Sequence, residues 1–339
     1  MTRSNWKSRF LKSKMFVLLI LYLLLIAVFS IISRGQYLSW FNIRNIMNSM
    51  VVTAYLTCGA SFLMIAGNVD LSTAQVALLS GAMLGTFLQM GFPWPAAILA
   101  VFIVAAAAGA LNAMLINEIK FQPFVATMAV SYVVQGLMLV RLQGFSIDVD
   151  SPPIVWFGTY KIGGVLPVSI IFTFAIFAVY GVVLAKTKFG KSLYLVGGNP
   201  TAAKLAGLNP KRISYILFIN NAVLGSFAGM LQAARLKAAT PNAIANGMFA
   251  GMTGAILGGI SFGGGSGGMG GAFVGLILLN GFNAGLSTVG LSPYWQTAAS
   301  GALLLLALTF DYFNSRRLSS IKVRNSGRVP GVSAQNRGG

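Results

Sequence analysis

Between Arg44 and Glu118 the chain carries a single charged residue, Asp70. A stretch this long with one charge cannot supply the wetted surface of a soluble fold. The shortage is general: only 9% of the 339 residues are charged and 56% are hydrophobic, against about 25% charged in a soluble domain. The solvent for most of this chain is therefore lipid. The pattern predicts an all-α polytopic membrane protein.

Apolar runs centre on 15–33, 48–66, 71–90, 94–116, 124–143, 165–185, 214–232, 247–262, 270–287 and 294–312. The first follows five basic residues and is longer than the apolar core of a cleaved signal peptide, so it reads as a retained helix. About ten crossings are expected. Starting from a cytoplasmic N-terminus, 18 of the 24 Lys and Arg fall on the cytoplasmic side, which supports cytoplasmic placement of both termini. The expected organisation is a basic N-terminal segment (1–14) and one membrane domain (15–312) with a long cytoplasmic loop at 186–213. A basic, disordered tail (313–339) follows.

The net charge of +19 would suggest nucleic acid on a soluble protein. Here the basic residues sit between apolar runs, as membrane topology requires, and no nucleic-acid partner is expected. There is one cysteine, Cys58, and no histidine. That excludes an internal disulfide, argues against a metal site and removes the usual general base of hydrolytic enzymes.

The loop at 186–213 is the most informative. Gly197-Gly198-Asn199 reads as a turn, with Asn199 as cap and Pro200 at the first position of a short helix. Thr201 to Ala206 are good helix formers, Gly207 can end the helix and Pro210 prevents its continuation. Such an element is either an amphipathic connector on the membrane surface or a docking helix for a soluble partner.

The segment GGNPTAAKLAGLNPKRI, with its A-A-x-x-x-G spacing at Ala202, Ala203 and Gly207, resembles the coupling loop of ribose-type (monosaccharide) ABC-importer permeases, within the branched-chain amino acid/ribose permease superfamily. GNVDLSTAQVALLSG (67–81) is similar to that family's G-G-I-D-L-S-V-G segment, with Asn68 in place of the second glycine and Thr73-Ala74 in place of Val-Gly. FQPFVATMA (121–129) resembles its P-x-F-[IV]-x-T stretch, and the stretch from ILGGISF to LSPYWQTAASGALLLLA resembles its C-terminal third. The matches are collinear from about residue 40 to 312.

The resemblance implies a multi-pass permease subunit of the bacterial inner membrane, with no enzymatic activity of its own, that moves a monosaccharide or similar solute inward. It also implies three partners: a cytoplasmic cassette ATPase that binds the ATP, a periplasmic solute-binding protein, and a second permease copy or paralogue. Carried over onto this chain, the ATPase-coupling residues are Gly198, Asn199, Thr201, Ala202, Ala203, Leu205 and Gly207.

An acid inside a membrane is costly and points to function. Asp70 either faces the solute pathway or shapes a helix break in which Gly67-Asn68 ends one helix and Asp70 or Ser72 caps the next. Ser72 and Gln75 have the spacing of a capping box. Polar residues in other spans, among them Asn112, Thr127, Asn221, Gln232 and Asn280, are expected to bond between helices or to line the pathway.

Residues 258–271, GGISFGGGSGGMGG, twice fit G-x-G-x-x-G. No βαβ pattern surrounds them and no acid follows at the required distance, so a dinucleotide site is excluded. Gly258, Gly259, Gly263, Gly265, Gly267 and Gly268 are instead expected to supply a tight turn and thin helix faces. A P-loop motif is absent from the sequence, so no ATP site and no other cofactor is expected in this chain. An ion-coupled secondary transporter is the competing reading. A membrane-embedded enzyme fits poorly with five acids and no His.

Overall fold

A computed structural model of the chain describes residues 14–164, 166–244 and 246–326. The basic segment at 1–13 and the tail beyond Ser326, for which disorder was expected, lie outside the described residues. Each of the ten apolar runs falls on a helix. These are α1 (Lys14–Ile32), α2 (Trp40–Ile65), α3 (Thr73–Gln89), α4 (Trp94–Asn117), α5 (Pro123–Leu142), α7 (Val168–Lys186), α10 (Pro210–Leu236), α11 (Gly247–Leu257), α12 (Met269–Thr288) and α13 (Pro293–Ser326). Between them lie the short helices α6 (Pro152–Thr159), α8 (Lys188–Gly198) and α9 (Pro200–Leu205).

Local chemistry sets many of the starts. Pro123, Pro152, Pro200, Pro210 and Pro293 each open a helix, where the missing N–H costs nothing. Ser39, Thr187, Asn199 and Asn209 accept a backbone N–H from the first turn of the helix they precede, as good N-caps do. Two-residue antiparallel ladders tie the connections: β1 (Ile147–Asp148) pairs with β4 (Ala238–Ala239), and β2 (Lys161–Ile162) with β3 (Leu166–Pro167).

Among the described residues, six helices (α2, α4, α5, α7, α10 and α12) are long and apolar enough to cross a membrane. Helices α2 and α10 form the centre and pack on α3, α4, α11 and α12. Small residues permit the close approach. A methyl group added at Gly109 would stand 2.7 Å from Ile219 Cα, and one at Gly229 would stand 2.8 Å from Ala77 Cα. Outward faces of α1, α4 and α5 expose Leu23, Ile103 and Val140, as lipid-facing surface should.

Two runs differ from expectation. Helix α11 has only 11 residues, about 16 Å of rise against a core of about 30 Å, because Gly258 and Gly259 end it. Helix α13 continues to Ser326, past the expected boundary at 312. No Gly or Pro interrupts residues 313–326, and basic side chains near a helix C-terminus are favourable.

Candidate functional site

The break between α2 and α3 is built by backbone and carboxylate together. Gly67 N–H bonds to Met64 O and Asn68 N–H to Leu63 O, both at 2.9 Å, with Gly67 in the left-handed region at φ +78°. This is a Schellman ending, which needs a residue without a Cβ penalty at that point. The expected capping box does not form. Ser72 has a helical backbone (φ −85°, ψ −18°) rather than the extended one of an N-cap, and it makes no side-chain bond into the first turn of α3. Its Oγ donates to Asp70 Oδ1 at 2.6 Å and accepts from the Asn112 amide at 2.8 Å.

Asp70 is 6% exposed and lies where four helices meet. Its Oδ1 accepts from Ser72 N–H at 2.8 Å, and its Oδ2 from the amide of Asn221 on α10 at 2.9 Å. The same Asn221 amide also reaches Thr73 Oγ1 at 2.5 Å, while the amide of Asn112 on α4 reaches Ser72 Oγ at 2.8 Å. Thr127 on α5 accepts from Leu71 N–H at 3.1 Å. Ser72, Asn112 and Asn221 donate toward the carboxylate or a hydroxyl beside it, while Thr127 accepts from the backbone next to it. The arrangement ties α3, α4, α5 and α10 together around the break.

The short helix α9 forms where expected. Asn199 Oδ1 accepts from Ala202 N–H at 3.0 Å, and Gly207 closes the helix at φ +82°, with Leu208 N–H bonding back to Ala203 O at 3.1 Å. Gly197 and Gly198, expected in a turn, are instead the last residues of α8, because Thr187 caps that helix and nothing stops it before the Asn199-Pro200 pair. On α9, Ala203 is buried, Thr201 and Ala202 are exposed, and Leu205 is 86% exposed. A leucine this exposed on a loop helix is a ready contact point.

The glycine run is more than a turn. Gly265 N–H donates to Ile65 O at the end of α2 across 2.8 Å. Gly197 sits between these two groups: a methyl there would overlap Ile65 O and stand 2.7 Å from Gly265 N. A methyl on Gly264 would stand 2.9 Å from Gly67 Cα, and one on Gly265 2.9 Å from Gly198 Cα. Three backbones therefore meet without side chains: the end of α2, the end of α8 and the 258–268 loop. Tyr194 donates to Gly267 O at 2.8 Å, and Asp311 on α13 accepts from Phe262 N–H at 3.1 Å and Ser261 Oγ at 3.2 Å.

Three groups of residues singled out separately in the sequence thus converge, though not every member takes part. Methyl groups on Gly258, Gly271 or Gly275 would overlap the facing helix of the α11–α12 pair, whereas Gly259 makes the turn, and Gly263 and Gly268 have no close neighbour. The role of Gly197 was not readable from the sequence, because its partners are 132 and 68 residues away. Among the described residues no cluster of three or more His, Cys, Asp or Glu could hold a metal.

The loops also sort between two ends of the bundle. The glycine joint shares its end with the Lys211–Glu118 ion pair at 2.7 Å, which links the start of α10 to the residue after α4. The opposite end holds the β1–β4 ladder, the bond from Arg235 Nη1 to Asn48 O at 2.6 Å and the contact of Thr288 with Asn42 at 3.2 Å.

Comparison with known proteins adds an independent line. The family described as "Branched-chain amino acid transport system / permease component" matches residues 42–308. The galactose/methyl galactoside import permease protein MglC of Haemophilus influenzae is 31% identical over 328 residues, covering 88% of this chain and 96% of its own. The ribose import permease protein RbsC of Escherichia coli is 28% identical, with 86% and 92% covered. The xylose transport system permease protein XylH of Haemophilus influenzae is 26% identical, with 92% and 100% covered. No solved structure gives a significant match.

Proposed function

The chain belongs to the branched-chain amino acid transport system permease family and is a multi-pass inner-membrane permease; from that premise we propose that it is the translocation subunit of an ABC importer for a monosaccharide or a sugar-like solute. The names of its relatives, import permeases for galactose, ribose and xylose, support the solute class. In this reading the chain crosses the membrane ten times, the short α11 being completed by the glycine-rich segment 258–268, and both termini are cytoplasmic. The sorting of loops into two ends, with 186–213 and 258–268 on one of them, supports that topology.

A cytoplasmic cassette ATPase binds and hydrolyses the ATP and docks on α9 through Leu205 and its exposed neighbours. A periplasmic binding protein delivers the solute, and a second copy or a paralogue completes the pathway. Alternating access follows when the ATPase moves α9. The observation that carries this proposal is the glycine joint. It ties the end of α8, which leads straight into the docking helix α9, to the end of α2, beside the Asp70 clamp, and to the loop between α11 and α12.

The test is ATP-dependent uptake of labelled ribose, galactose and xylose by proteoliposomes holding this chain, its ATPase and its binding protein. Uptake that persists without the ATPase and follows an ion gradient would overturn the proposal in favour of a secondary transporter. Asp70 offers little to that alternative, since both its oxygens are already occupied by partners within the chain.

A further inference from the structure

At the end of the bundle opposite the glycine joint, a hollow of about 530 Å³ opens between the start of α2, the end of α10 and the connection into α11. Its walls carry Asn45, Asn48, Gln232, Arg235, Asn242 and Asn246. In a chain so poor in polar surface, this concentration is unusual. It follows from helical spacing: Asn45 and Asn48, and Gln232 and Arg235, are each three residues apart and so share a helix face.

The side-chain amides of Asn45, Asn48, Gln232 and Asn242 make no hydrogen bond with any described residue. Each amide is both a donor and an acceptor, as is every hydroxyl of a sugar. Arg235 is held in place by its bond to Asn48 O at 2.6 Å, which leaves further guanidinium N–H groups for a ligand. No acid lines the hollow, while Val52 and Ile244 supply apolar floor for the C–H face of a ring. The volume lies within the 300–1,000 Å³ usual for small-molecule sites.

We infer that this hollow is the reception site for an uncharged polyhydroxylated solute of monosaccharide size, bound through the free amides of Asn45, Asn48, Gln232 and Asn242 with Arg235. The inference rests on the importer reading and adds the place and chemistry of solute entry. The site is wide open, so it holds the solute weakly and passes it on. Along α2, Asn48 lies 17 residues before Ile65 of the joint, about 26 Å of rise. Entry and drive thus sit at the two ends of one central helix.

The test compares the wild-type complex with Asn48→Leu/Gln232→Leu in proteoliposomes, at saturating binding protein, using ribose, galactose, xylose and allose. The readout is sugar moved per ATP hydrolysed, with binding-protein affinity and the thermal midpoint measured alongside. The expected result is a fall of about fivefold or more in sugar per ATP, with ATPase stimulation and binding-protein affinity within twofold of wild type. An unchanged ratio overturns the site and leaves the importer reading standing. Loss of binding-protein affinity and of ATPase stimulation also overturns it, because the hollow is then a docking surface for that protein. If the double variant does not fold, Asn242→Ala on the exposed connection carries the same comparison, with at least a twofold fall expected and an unchanged ratio overturning the site. A wild-type complex that moves none of the four sugars removes the importer reading, and the site with it.

Discussion

Replacing Gly197 by Ala isolates the contribution of the glycine joint. The added methyl would overlap the Ile65 carbonyl and crowd Gly265 N, whose 2.8 Å bond to that carbonyl closes the joint. Overpacking of this kind costs ~1–3 kcal/mol, and loss of the hydrogen bond adds ~0.5–1.5 kcal/mol. Against this stands the better helix propensity of Ala at the end of α8, at most ~1 kcal/mol. The net expectation is destabilisation of roughly 1–3 kcal/mol, read as a lower thermal midpoint in detergent and as ATP hydrolysis uncoupled from uptake in the assembled complex. Gly198→Ala is the matched control. It occupies the next position of the same helix, its added methyl meets nothing within 4 Å, and propensity alone predicts a neutral or slightly positive effect. If the two variants behave alike, the steric account of the joint is wrong.

Three further outcomes are expected. Asp70→Asn is tolerated in folding and uptake, because Asn221, whose Oδ1 is unpartnered, can rotate its amide to accept from the new N–H. Asp70→Ala instead strands buried donors at ~1–3 kcal/mol each and lowers the thermal midpoint; equal loss of uptake in both variants at normal stability would assign the carboxylate a transport role. Leu205→Ala leaves the midpoint unchanged, since the side chain is 86% exposed, but weakens co-purification with the ATPase; undiminished assembly argues that α9 is only a surface connector. Lys211→Ala, which breaks a half-exposed pair, shifts stability by no more than ~1 kcal/mol in a denaturation series.

What was legible in the sequence was local. The cap at Asn199, the helix start at Pro200 and the helix ends at Gly67 and Gly207 depend on residues within one or two turns, and these are found as read; Pro210, read as a breaker, opens α10. The apolar runs locate the helices, though where α11 stops depends on a glycine pair whose spacing fits helix packing as well as a turn. The capping box at Ser72 fails because its backbone is helical rather than extended and its Oγ already accepts from Asn112, 40 residues on. The clamp around Asp70 and the joint at Gly197 were out of reach for a different reason. They join residues 42, 68, 132 and 151 positions apart, and spacing along a chain says nothing of which polar or small residues will face one another across helices.

The joint also constrains how the chain is assembled. Gly197 lies between a carbonyl made early, at residue 65, and an amide made late, at residue 265. The contact cannot close when α8 and α9 emerge from synthesis, since Gly265 does not yet exist. Until the loop after α11 arrives, α8 and α9 lack one wall of their seat and Ile65 lacks the N–H donor of the finished fold. The segment proposed to receive the ATPase is thus completed only when the last third of the chain is in place, so a truncated permease is expected to leave α8 and α9 without their finished seat.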